Sequence, residues 1–236
     1  MLASQPNISS PRRIVRMLCI HGYRQNAQLF REKTGSFRKL LKNKVEFVFV
    51  SAPNKIPVNT DDGEHEGKDI KDIDERGWWF SREDKYFHAQ EETNCCIGYE
   101  QSIEMIKNVL KEQGPFDGLF GFSQGASLVS LLCGLREQNP DGDLKFSFAI
   151  MVASFKSKSL QHQSLYEQKV TIPTLHVFGE TDRVIPKSMS EELLENYTNC
   201  TILQHAGGHY VPSTSLEKKA YIQFIEQQAK VKELEN

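Results

Sequence analysis

Long hydrophobic runs are missing from this 236-residue chain. A membrane-spanning helix needs roughly 20 consecutive apolar residues, and no stretch approaches that, so no span is expected. A surplus of one charge is missing too. With 29 Lys and Arg against 31 Asp and Glu, the net charge of −2 gives no footprint for nucleic acid or anionic lipid. Cysteine is scarce and badly placed for bridging. The five, Cys19, Cys95, Cys96, Cys133 and Cys200, are odd in number. The neighbours Cys95 and Cys96 could not easily pair, and no CxxC spacing suggests a metal site. Thiols of this kind fit a reducing compartment, so a cytoplasmic protein is expected, with a nuclear share open. The opening "MLASQPNISSPRR" lacks the apolar segment of a secretory signal and reads as a flexible tail over 1–13.

What is present suits one soluble domain. The chain is 39% hydrophobic and 25% charged, and long enough to bury roughly 70% of its unfolded surface without disulfide help. Short apolar runs predict strands at 14–22, 45–53, 116–123, 146–155, 172–182 and 200–208. Helical spacing falls between them: 25–43, weakened by Gly35, then 97–114, 124–138, 190–197 and a terminal helix from Ser215. Alternating strands and helices predict an α/β fold, a mostly parallel twisted sheet of about six strands covered on both faces. The domain is expected over 14–228, with a tail at 229–236 and a long acidic surface loop at 54–76.

One stretch departs from ordinary loop chemistry. In "LFGFSQGASL" (119–128), Ser123 stands between Gly121 and Gly125, after an apolar strand and directly before a helix. A strand that folds at once into a helix holds its apex residue in strained backbone geometry, and glycines remove the side chains that would collide. The helix also aims free N–H groups at whatever charge forms on the serine oxygen. This is the G-x-S-x-G nucleophile elbow in its required context. A helix N-cap serine is the bland alternative, and it leaves the apolar strand unexplained.

A serine hydroxyl needs a base within hydrogen-bond reach, and in this architecture the chain order is Ser, then Asp or Glu, then His. Asp182 follows the fifth strand in "FGETDRVIP" and is preferred over Glu180. His209 follows Gly207-Gly208 in "LQHAGGHYVP" and is preferred over His205. His65, His88, His162, His176 and His205 read as structural or surface histidines. An oxyanion needs two N–H donors; the Gln124 amide, next after the nucleophile, and the Tyr23 amide, in the loop after the first strand, are the candidates. A plain strand-ending turn would look the same at Tyr23.

As a set, "LCIHGYRQN", "SAPNKIP", "RGWWF", "GPFDGLFGFSQGA", "IPTLHVFGETDRVIP" and "HAGGHYVP" resemble the α/β-hydrolase superfamily. Within it they resemble the eukaryotic "family of serine hydrolases" group, from about Arg16 to the last helix. The resemblance implies a Ser–Asp–His triad on Ser123, Asp182 and His209, and a compact hydrolase without a large helical cap. The expected activity is a serine carboxylesterase, working through an acyl-enzyme on Ser123 without cofactor or metal, on a small acyl ester of medium to long chain. Trp78, Trp79 and Phe80 are candidate substrate-binding residues. They, with Tyr86 and Phe87, either wall an acyl groove or anchor a long loop. An acyl thioesterase and a catalytically idle hydrolase-fold binding module are the alternatives.

Overall fold

Six parallel strands form the sheet of this protein, seen in a computed structural model that describes residues 13–57 and 73–234. They are β1 (Val15–Ile20), β2 (Val45–Val50), β5 (Gly118–Phe122), β6 (Phe148–Val152), β7 (Thr174–Gly179) and β8 (Cys200–His205). Their order across the sheet is β2-β1-β5-β6-β7-β8, and every neighbouring pair is parallel. A separate two-stranded antiparallel ribbon pairs β3 (Asn54–Lys55) with β4 (Arg76–Gly77).

The central strands β5, β6 and β7 are buried at every position, whereas the outer strands β2 and β8 are partly exposed. That explains the continuous apolar runs read from the sequence. Alternate residues divide between two core layers. Leu18, Ile20, Leu119, Ala149 and Met151 face one layer with the helices α3 (Tyr99–Gln113) and α4 (Gln124–Gln138). Met17, Cys19, Phe120, Phe148 and Ile150 face the other, with Phe30, Phe37 and the Tyr221–Ile225 turn of the last helix.

Several boundaries differ from the sequence reading. The helix expected over 25–43 is two, α1 (Ala27–Lys33) and α2 (Gly35–Leu40). They part at Thr34, whose hydroxyl donates to the Phe30 carbonyl at 2.6 Å and competes with continued backbone pairing. The helix expected over 190–197, α5 (Lys187–Leu194), starts earlier, directly after Pro186. The final helix, α6 (Ser215–Leu234), continues to Leu234 in the segment expected as a tail from 229; 235–236 lie outside the described residues. A 3₁₀ segment at Leu160–Tyr166 has no counterpart in the sequence reading. Of the expected acidic loop, the two ends form the β3–β4 ribbon; 58–72 lie outside the described residues, as do 1–12 of the expected N-terminal tail. Arg13 itself pairs with Asp117 at 2.8 Å.

The chain runs from β1 outward to β2 and then crosses to β5 on the opposite side of β1. The carboxyl ends of β1 and β5 therefore flank a reversal in strand order, the place where open α/β sheets bind ligands.

Candidate active site

β5 ends at Phe122 and α4 begins at Gln124, so Ser123 alone makes the turn. Its φ of 53° and ψ of −122° are a conformation that costs a non-glycine residue free energy and persists only where the surroundings enforce it. They do enforce it here: the Ser123 N–H donates to the Val152 carbonyl of β6 at 2.9 Å, and its own carbonyl accepts from Ser127 N–H at 3.0 Å. Both flanking glycines are steric necessities. A β-carbon on Gly121 would lie 2.6 Å from the Ala126 α-carbon, and one on Gly125 would lie 2.3 Å from the Ile20 and His21 carbonyl oxygens.

His209 reaches the elbow from the far side. Its Nε2 lies 3.0 Å from Ser123 Oγ and its Nδ1 lies 2.8 Å from Asp182 Oδ2. The ring packs against Phe122, with centroids 4.8 Å apart. Asp182 Oδ1 accepts from the Val184 and Ile185 N–H groups, each at 2.9 Å. Burial pushes the Asp182 carboxyl upward, but the hydrogen bonds from His209, Ile185 and Val184, with the nearby imidazole charge, outweigh it and hold the group below its ordinary value. The loops carrying acid and base are joined to each other. Thr181 N–H donates to the Gly207 carbonyl at 3.2 Å, and a β-carbon on Gly179 would strike that same oxygen at 2.1 Å.

The rivals lie elsewhere. Glu180 is engaged by Gln204 Nε2 at 2.6 Å on the exposed side of the loop. His205 is buried against Tyr210 and accepts from Gly207 N–H through Nδ1, so it braces the loop that presents His209.

Gln124 N–H sits at the first position of α4, where no intrahelical acceptor exists. Tyr23 follows Gly22 directly beside the elbow: a β-carbon on Gly22 would lie 3.3 Å from Ser123 Cβ. Among the described residues neither amide donates to a protein acceptor.

Three groups hold that loop, a role the sequence reading gave to none of them. Gln25 Oε1 accepts from Gly22 N–H at 3.0 Å. His21 Nε2 accepts from Ala52 N–H at 2.9 Å while Nδ1 lies 2.7 Å from the Gly22 carbonyl. Its ring is thus a neutral brace, and burial holds it down at about 4. Trp78 Nε1 donates to the His21 carbonyl at 2.7 Å. Trp78, Trp79 and Phe80 themselves are 0–1% exposed, which corrects the substrate-wall expectation. They are packed beneath the site and anchor the segment that follows the ribbon. A chance to find these braces lay in the polar residues around His21 and Gly22, since a strand-end loop holding a precise amide needs partners for its own backbone.

A strained serine, a histidine bonded to it and a carboxylate behind the histidine make a chemical unit able to transfer an acyl group. On this sheet, the unit defines a serine hydrolase of the α/β-hydrolase fold. The sequence pattern of the family described as serine hydrolase (FSH1) matches residues 11–221. The chain is 49% identical over 218 residues to "Esterase OVCA2" of Danio rerio, covering 89% of this chain and 96% of that one. It is 43% identical over 228 residues to "Esterase OVCA2" of Xenopus tropicalis, covering 96% and 98%. In backbone it is similar to the crystal structure of SOBER1 from Arabidopsis thaliana, with a TM-score of 0.59 at 13% identity over 92% of this chain and 99% of that one. The chain belongs to the FSH1 family of serine hydrolases and esterases.

Proposed function

We propose that this protein hydrolyses carboxylic esters with medium- to long-chain acyl groups through an acyl-enzyme on Ser123. The observation that carries the reading is the 3.0 Å contact from His209 Nε2 to Ser123 Oγ at a strained turn opening a helix. His209 takes the hydroxyl proton as Ser123 Oγ attacks the ester carbonyl. Asp182 orients the ring and stabilises its protonated form, and the Gln124 and Tyr23 amides hold the oxyanion. The protonated His209 gives its proton to the departing alcohol. Water, deprotonated in turn by His209, then attacks the acyl-serine and frees the acid. Every group in this cycle belongs to the chain.

Apolar surface beside the machinery favours an aliphatic acyl chain. Val184 and Tyr210, two residues after the acid and one after the base, are 56% and 50% exposed, which leaves apolar area open to a ligand beside polar chemistry. All five cysteines are unpaired, and a cytoplasmic enzyme fits that.

The test uses a fluorophosphonate probe and matched ester and thioester substrates of rising acyl length. Labelling of the wild-type protein and none of Ser123→Ala, with kcat/KM rising with ester chain length, is the expected result. An unlabelled wild type favours the idle binding module, and faster thioester turnover favours the thioesterase.

A further inference from the structure

Phe87 is in contact with both core layers, although these lie on opposite faces of the sheet. Only a side chain standing over the edge of a sheet can do that. Its ring neighbours identify which edge and where. The Tyr23 ring, in the loop after β1, lies 5.4 Å from Phe87, and the Phe155 ring, just past β6, lies 6.2 Å away. Between β1 and β6 runs β5 alone, and β5 leads directly into Ser123. Phe155 is itself tied to the elbow helix, because Ser127 Oγ donates to its carbonyl at 2.9 Å.

The ring is held rather than loosely draped. Trp79 supports it edge-on at 5.2 Å. Ser81 closes the loop on both sides of it: Ser81 N–H donates to the Tyr86 carbonyl at 2.9 Å, and His88 N–H donates to Ser81 Oγ at 3.0 Å. Arg82 grips both Glu91 oxygens at 3.0 and 2.9 Å and lies 5.0 Å over the Tyr86 ring. Asp84 Oδ1 accepts from Tyr86 N–H at 3.2 Å. Phe87 nonetheless stays only half-buried, so part of a preorganised aromatic surface remains uncovered above the nucleophile's strand.

We infer that Phe87 is a specificity-determining residue, the apolar roof against which the first methylenes of the acyl chain pack once the ester carbonyl occupies the Tyr23–Gln124 amide pair. The assignment rests on the esterase reading above. A two-carbon acyl group is too short to use the roof, while an eight-carbon group packs along it. Phe87 therefore sets the ratio between long and short esters and leaves the bond-making steps to the triad.

The experiment compares kcat/KM for p-nitrophenyl octanoate and acetate in wild type, Phe87→Ala and Phe87→Leu. Burial of several methylenes against an aromatic wall is worth about tenfold or more in discrimination. The octanoate-to-acetate ratio is expected to fall by about that factor in Phe87→Ala and to recover to within about threefold of wild type in Phe87→Leu, which restores apolar volume. An equal loss on both esters in Phe87→Ala would mean that the ring only packs the loop, and the proposal falls. An unchanged or raised ratio overturns it as well. Wild-type protein that turns over neither ester would overturn the esterase reading and this assignment with it, whereas turnover with an unmoved ratio defeats the assignment alone.

Discussion

Gln124 holds Trp78 in place: its Oε1 accepts from the Trp78 N–H at 2.9 Å, while its Nε2 donates to the next carbonyl, that of Trp79, at 2.8 Å. The residue whose amide we propose for the oxyanion thus uses its side chain to fasten the segment beneath the site. All the groups involved are buried.

Replacing Gln124 by Leu keeps the volume and removes both bonds. It strands a buried donor and a buried acceptor, at about 1–3 kcal/mol each. A fall in Tm of about 5–15 °C is expected for a chain of this size, together with a lower kcat, because the elbow amide and the oxyanion loop lose their common support. Thermal unfolding with ester turnover on the same preparation checks it. Unchanged Tm would mean that the pocket refills these bonds with water.

Asp182→Asn separates orientation from folding. The Asn side chain can keep its oxygen on the Val184 and Ile185 N–H groups, so Tm should move by only a few degrees. Its amide nitrogen then faces His209 Nδ1 and donates to it, which places the ring proton on Nε2, the atom that must accept from Ser123. A loss of about 10³–10⁴ in kcat is expected on that ground. A variant retaining a tenth of wild-type kcat would show that Asp182 does not fix the tautomer.

How much of this was legible before the fold was seen differs residue by residue. Gly121, Ser123 and Gly125 were readable because the turn is local: a strand, one strained residue and a helix within a single decapeptide leave few alternatives. Asp182 and His209 were readable from chain order and from sitting just past strand ends, where a parallel sheet gathers its loops. Trp78 and Trp79 were ambiguous because their partners are remote. The Gln124 side chain is 46 positions from Trp78 and the His21 carbonyl 57, so aromatics flanked by charged sequence look like surface until the β3–β4 ribbon returns the chain to the core. Phe87 was ambiguous between wall and anchor for the same reason, since its contacts follow three different strands. The break between α1 and α2 turned on one hydroxyl, that of Thr34, which helical spacing does not weigh.

Acid should destabilise the fold through three histidines. Burial lowers His21 and His162 to about 4 and His176 to about 3. Free histidine titrates near 6.5. Below about pH 6.5 the unfolded chain therefore takes up protons that the folded chain refuses, so stability is full above that pH and is lost progressively as pH falls towards 4. At a pH near 5, three such groups give a slope of about 4 kcal/mol per pH unit. Denaturant midpoints at pH 7.5, 6.5, 5.5 and 4.5 measure it. His176→Phe should remove about a third of that slope, since the ring lies 4.5 Å from Tyr197 and gives up only a 3.2 Å contact with Thr174 Oγ1. Midpoints that stay level from pH 6.5 to 4.5 would mean the interior admits the charged rings.

A pair of glycine substitutions tests whether the elbow is sterically dictated. Gly35 opens α2 with no atom within 4 Å of a would-be β-carbon. Gly35→Ala should therefore stabilise by about 0.4–1 kcal/mol, chiefly by restricting the unfolded chain. Gly125→Ala introduces the same methyl group with the opposite result. Its β-carbon would meet two backbone oxygens of the β1 end at 2.3 Å, atoms that cannot swing aside as a side chain can. Relief requires α4 to back away from β1, which draws the Gln124 amide from the oxyanion and Ser123 from His209. Gly125→Ala should cost about 3 kcal/mol or more, in the range of severe overpacking, and its fluorophosphonate labelling rate should drop by at least about tenfold in whatever fraction stays folded. Equal Tm shifts for the two variants would mean that β1 and α4 have more room between them than this packing allows.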